Sequence, residues 1–192
     1  MPRPPDPAID AAITQATLTL LEQEGFARMS MVGVATQAGV GRPAIYRRFN
    51  DKAELVASAI ASRLPALDEP PASDRGGTRK QLWQLLQHGL PEDGATYVGL
   101  IGGLIAEQSR HPELIEAFRR SVLLPRRAVV QRAIERGQER GDIRRDVKAE
   151  AALDLLAGPF LARVFAGADT GPRWRRRAFD TWWTLVEERK DR

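Results

Sequence analysis

The chain has no cysteine and only two histidines among its 192 residues. Without thiols it forms no disulfide, offers no thiolate to a metal and lacks a sulfur nucleophile. That composition suits a reducing compartment. No apolar run reaches the roughly eighteen residues that a spanning helix needs, so none is expected. The opening MPRPPDPAID lacks a basic segment followed by an apolar core, so no signal peptide is expected and a cytoplasmic location is. His88 and His111 stand in neither an H-E-x-x-H nor an E-x-x-H arrangement. The G-x-S-x-G, G-x-G-x-x-G and Walker patterns are missing too, and the glycines of VGLIGG fit close helix packing instead. No catalytic residue, metal site or cofactor is expected.

Charge is present in both signs but unevenly placed. The formal net charge is +4 and the pI about 9.9, which suits an acidic partner. Arg42, Arg47, Arg48 and Lys52 fall within eleven residues that hold one acid, Asp51. Elsewhere, as in ERGQERGDIRRD, the signs mix as they do on a solvated helix face. The local cluster is the informative one.

Apolar spacing is helical throughout. Ile9, Ile13, Ala16, Leu20 and Leu21 mark a first helix that Gly25 stops. Ser30 suits the N-cap of a second, with Met31, Val34, Ala35 and Ala38 on its apolar face and Gly39 at its end. Ile45 and Phe49 belong to a third short helix, over about 41–49. Asp51 can cap a fourth, on which Leu55, Val56, Ala59 and Ile60 form the stripe. Residues 64–77, LPALDEPPASDRGG, read as a linker. Beyond it, Thr78 can cap a helix bearing Leu82, Leu85 and Leu86, ended by LPEDG. Tyr97, Leu100, Ile101, Leu104 and Ile105 mark the next. His111-Pro112 opens a helix through Phe118 to Val122, and Pro125 opens one running to about Arg140. Two further helices are expected, over about 148–168 and 173–189. The fold class is all-α, with an N-terminal domain over 1–63, the linker 64–77, and a helical domain over 78–192.

The last two helices carry more apolar surface than one face can bury. In FDTWWTLV, Trp182 and Trp183 are adjacent, so their side chains leave a helix about 100° apart. Either the buried stripe is wide, or these helices pair with a second copy, since interface centres favour aromatics. The second reading places Leu155, Leu156, Phe160, Val164, Phe179, Trp182, Trp183 and Val186 at a homodimer interface.

Two short helices joined by a glycine-containing turn make a helix-turn-helix. Gly39 sits where the chain turns sharply. The second helix buries Ile45 and Phe49 and presents Arg42, Pro43, Ala44, Tyr46, Arg47 and Arg48 outward, as entry into a major groove requires. A solvated basic face, a small helical enzyme and a protein-binding module are the alternatives.

The segment SMVGVATQAGVGRPAIYRRFNDKAELV, Ser30 to Val56, resembles the DNA-binding domain of the TetR family of bacterial transcriptional regulators. The likeness lies in the turn, Tyr46, the aromatic Phe49, and Lys52 and Leu55 in the next helix. The HPEL…PRR…RGDIRRDV stretch resembles a subgroup of that family's C-terminal domain. The resemblance implies that Tyr46, Lys52 and Arg48 meet DNA phosphates, joined by Ser30 and Gly41. It implies that Arg42, Pro43, Ala44 and Arg47 meet bases, with Arg42 bidentate to guanine and worth about 1–3 kcal/mol of discrimination. Pro43 and Ala44 suit thymine methyls. It also implies a homodimer on a palindromic double-stranded operator, its recognition helices about 34–36 Å apart or a multiple of that. A repressor released by a small, largely apolar molecule is implied as well, in a pocket drawn from Trp83, Leu86, Tyr97, Ile101, Phe118 and Phe160. Three positions depart from the family pattern. Gly41 replaces a Ser or Thr cap, Gly33 replaces an acid of a capping box, and Val32 replaces a polar residue.

Overall fold

The computed structural model describes residues 6–68, 77–90 and 94–188. The stretch 69–76 of the expected linker, the 91–93 part of LPEDG, and the side chains of Tyr97 and Leu100 lie outside the described residues. The described residues form ten α-helices and one π-turn, with a single isolated bridge between Ile143 and Glu187 in place of any strand. Among them no helix is long and apolar enough to cross a membrane. The chain packs as two compact units. One gathers the described residues of Met1–Arg63 with Gly102–Leu124, the other those of Leu64–Ile101 with Pro125–Arg192.

In the first unit, α1 (Pro7–Arg28) opens on Asp6, whose carboxylate accepts the Ala8 N–H at 3.0 Å. Ile13, Ala16, Thr17 and Leu20 recur at helical spacing and are buried. Gly25, at φ +75°, breaks the α-helical path there and turns Phe26 back into the core at 2% exposure. Next come α2 (Met31–Gln37), α3 (Arg42–Tyr46) and α4 (Lys52–Ala61). Helix α4 packs against α1 and against α7 (Pro112–Phe118), so Leu55, Val56 and Ile60 are buried with Leu114, Ile115 and Phe118. Each such side chain contributes about 1.5–3 kcal/mol by leaving water.

The expected break between Val122 and Pro125 takes another form. A π-turn over Arg119–Leu123 leads directly into α8 (Leu124–Glu139). Pro125 has no N–H for the carbonyl four residues back, at Ser121, and its ring crowds that carbonyl. The preceding turn widens instead, as helices do when their hydrogen-bond ladder is interrupted.

The second unit contains α5 (Gly77–Gly89), α8, α9 (Ala149–Phe165) and α10 (Pro172–Val186). The residues of α6 (Gly94–Glu107) divide between the two units. Leu82, Leu85, Ile134, Ile143, Leu153 and Leu156 share the second core with Phe179, Trp182, Trp183 and Val186. This corrects the expected interface. Phe179, Trp182, Trp183 and Val186 are core residues of one chain, and Leu156 and Phe160 are buried too. Two adjacent tryptophans fit inside because α10 is flanked by both α9 and α5. Trp182 turns to α9 and donates its indole N–H to the Ala152 carbonyl at 2.9 Å. Trp183 lies under Arg79 of α5, 5.9 Å from its ring centroid. Thr78 is no cap either: buried, it donates its hydroxyl to Asp142 at 2.7 Å.

Gly137 makes this packing fit. A Cβ there would lie 2.5 Å from Thr78 Cγ2 and 2.9 Å from Ile143 Cδ1. Gly137→Ala should therefore destabilise the second unit by about 1–3 kcal/mol through overpacking. A lower urea midpoint followed by tryptophan fluorescence is the expected result.

Candidate nucleic-acid interface

Ser30 accepts the Gly33 N–H at 3.0 Å and starts α2. A side chain at 33 would put its Cβ 3.2 Å from Ser30 Oγ, so glycine leaves the cap undisturbed. Val34 and Ala35 face the core, and α2 ends where Gly39 takes φ +66°. The Val40 N–H returns to the Ala35 carbonyl at 3.0 Å, which sets the entry to α3. That helix is shorter than expected: Arg42–Tyr46 is helical and Arg47-Arg48 form a closing turn. Its N-cap is Gly41, which supplies no side-chain bond. Pro43 in the first turn has no donor to leave unsatisfied. Ile45 is fully buried and Phe49 half-buried, so the helix is anchored from behind.

The outward face carries Arg42, Pro43, Tyr46 and Arg47, all exposed, with Ala44 half-buried between them. Tyr46 is 55% exposed, so its ring and hydroxyl are both open to solvent. Arg42 and Arg47 form no ion pair with the described residues. These side chains sit together on α3 and the turn that closes it.

Arg48 and Lys52 do not project in the same way. Arg48 turns back to α1, where its Nε donates to Asp10 Oδ1 at 2.5 Å and its Nη1 to the Ala44 carbonyl at 3.1 Å. Lys52 Nζ donates to the Phe26 carbonyl at 2.7 Å and more weakly to Ala27 at 3.4 Å. The same ammonium lies 4.3 Å from the centroid of the Phe26 ring. Such carbonyls lack partners at a helix C-terminus, where a cation is favoured. Both bonds reach far back along the chain, and nothing in the local pattern of charge announces them. Asp51 caps α4 by accepting the Glu54 N–H at 2.7 Å. Glu54 in turn accepts from the backbone N–H and side-chain amide of Asn50, both at 2.8 Å. Glu54 thus reaches past the N-cap Asp51 to the residue before it, a variation on the reciprocal capping box.

The described residues expected to line a pocket occupy packing positions. Phe118 fills the first unit's core, while Leu86 packs against the second. Phe160 lies under the Arg175 guanidinium at 5.1 Å, and Ile101 is half-buried. Trp83 borders an open cleft with Phe179, and Arg79, Lys80 and Arg176 add their cations to its apolar walls. Beside it, burial works to raise the Asp180 carboxyl pKa, but hydrogen bonds from Arg79 and Arg176 prevail and hold it below the ordinary value.

Comparison with known proteins bears on this geometry. Residues 13–59 match the family model of bacterial regulatory proteins, tetR family. Residues 72–181 match that of the tetracyclin repressor-like C-terminal domain. An uncharacterized HTH-type transcriptional regulator of Mycobacterium tuberculosis, Rv1556, is 28% identical over 165 residues, 84% of this chain and 80% of its own. The DNA-binding transcriptional repressor TetR of Mycobacteroides abscessus is 35% identical over 72 residues, 38% of this chain and 37% of its own. Among solved structures, the flavonoid-responsive regulator FrrA aligns with a TM-score of 0.68 at 20% identity, covering 96% of this chain and 100% of its own. That last likeness concerns the fold.

Two glycines of the turn should respond oppositely to substitution. Gly39→Ala places a Cβ in the left-handed region and should cost about 1–2 kcal/mol. Gly41→Ser, at φ −69° with 3.7 Å of clearance to Pro43 Cδ, supplies the absent cap and should add roughly a few tenths of a kcal/mol. Thermal melts followed by far-ultraviolet circular dichroism should move down for the first and slightly up for the second.

Proposed function

The chain belongs to the TetR family of DNA-binding transcriptional regulators, and from that premise we propose that it is a repressor acting as a homodimer on a palindromic operator. DNA binding is assigned to 1–63, and regulation and dimerisation to 78–192. The observation that carries the reading is the face of α3, with Arg42, Tyr46 and Arg47 exposed opposite a fully buried Ile45. A short helix so divided offers cations and a phenol to a groove while its back stays in the core. Arg42 reads guanine, Pro43 and Ala44 meet thymine methyls, and Arg47 reads a neighbouring base. The Tyr46 hydroxyl, the Ser30 hydroxyl and the Gly41 backbone meet phosphates. Lys52 retains one of its three ammonium donors for a phosphate beyond the two carbonyls it already holds.

Dimerisation is assigned to the apolar surface that α9 and α10 leave exposed. Ala151, Leu155, Gly158, Ala162 and Phe165 recur every three or four residues on α9, with Val164 half-buried beside them, and Leu185 is exposed on α10. A stripe of this spacing suits a second helix pair. Release from DNA is assigned to a small, largely apolar molecule, and the site of action to the cytoplasm. Neither histidine is given a catalytic role.

Selection of duplexes from a random-sequence pool tests the reading directly. Enrichment of a palindrome with half-sites about one helical turn or a multiple of it apart is expected; recovery of no preferred sequence would falsify it. On the selected duplex, Tyr46→Phe should weaken binding to all sequences alike, whereas Arg42→Ala should relax preference at one position of each half-site. A uniform loss for both would remove Arg42 from base reading. Leu155→Lys with Leu185→Lys should yield single chains by light scattering at micromolar concentration, and an intact dimer would place the interface elsewhere.

A further inference from the structure

The strongest unassigned feature of the first unit is the pairing of Arg48 with Asp10, across 38 positions of sequence. Helix α3 has five residues and no side-chain cap, so its own hydrogen bonds hold it weakly. From Arg42 to Phe49, Ile45 is fully buried and Phe49 half-buried, both at the back of α3. Two apolar contacts on one side fix where a short helix sits but resist its rolling weakly. A tether away from that side is needed to set which residues face outward.

Arg48 supplies it from the turn that closes α3. Its Nη1 donates to the Ala44 carbonyl within α3, while its Nε donates to the carboxylate of Asp10 in the first turn of α1. Each charge suits the helix end it occupies, the acid near the start of α1 and the cation near the end of α3. The Arg48 side chain is only 20% exposed, against 47% for Asp10. Its positive charge is also matched at contact distance by Asp10, so a phosphate approaching Arg48 meets a neutralised pair. Affinity through counterion release depends on cations that DNA can claim.

We propose that Arg48 is a positioning residue, which with Asp10 forms a strut that sets the roll of α3 on α1, and that DNA phosphates are met by its neighbours instead. This replaces the phosphate role that the family resemblance implied for Arg48. It rests on the reading that α3 enters the major groove of an operator.

The two roles make opposite demands on Asp10 and on the conservative variant of Arg48. As a strut, Asp10→Asn and Arg48→Ala each weaken binding to the selected duplex by roughly tenfold, and the double variant is no weaker than either alone. Arg48→Lys, which keeps the charge but loses the Nε geometry, behaves like Arg48→Ala. Affinity for a scrambled duplex and the slope of log affinity against log salt stay as in the unaltered protein. As a phosphate contact, Asp10→Asn frees a cation and tightens binding, Arg48→Lys is nearly silent, and Arg48→Ala lowers the salt slope by about one. Any of these last three results overturns the strut. Asp10→Asn is nearly isosteric at a half-exposed position, so it tests the proposal even if an Arg48 variant melts early. Circular dichroism melts identify that case. Failure of the unaltered protein to select any duplex would strike the functional reading itself, before Arg48 is tested.

Discussion

A helix of five residues cannot hold itself in place, and the first unit is arranged around that constraint. Nucleating a helical turn is unfavourable, and short helices in water stay marginal even with good propensity. Here α3 has a glycine at its N-cap and a proline in its first turn. Its conformation must come from tertiary contacts. Gly39 sets the direction of entry, Ile45 is fully buried as α3 packs on α2, and Arg48 reaches α1 from the far end. Helix α4, gripped by both α1 and α7, is the firm element behind it. Exposed function and buried support therefore lie on opposite sides of a few residues.

The second unit meets a different constraint, the volume of its aromatic side chains. Phe179, Trp182 and Trp183 occupy neighbouring sites with ring centroids 5.7 to 6.4 Å apart. Large rings bury much area but need space and a partner for each indole N–H. The space near Ile143 is provided by Gly137, and the Trp182 N–H is taken by the Ala152 carbonyl. Arg175, buried over Phe160, keeps its charge inside by donating to the Thr170 carbonyl at 2.8 Å. The unit tolerates polar groups because backbone oxygens are placed to receive them.

Much of this was legible in the sequence where the determinants are local. Ser30 and Asp51 cap the helices they were expected to cap, Gly39 takes the positive φ its place required, and the 3.6-residue period located the helices. What local pattern hides is where a helix face goes and what lies across from it. Adjacent tryptophans leave a wide buried stripe and a second copy both open, because sequence does not say how many neighbours a helix has; α10 has two. The π-turn was hidden because Pro125 acts on the turn before it rather than on its own position. The face of α3 was readable from spacing. The engagement of Arg48 and Lys52 was not, since their partners lie 38 and 26 residues away.

The distribution of rings has an optical consequence. All four tryptophans, at 83, 174, 182 and 183, belong to the second unit, whereas the first has Tyr46 as its one hydroxylated ring. Excitation at the red edge of protein absorption thus sees only the second unit, three of whose indoles sit in or against its core. Tyrosine emission excited further to the blue includes the very side chain exposed on α3. Tryptophan emission therefore follows events in the second unit alone, without an attached dye.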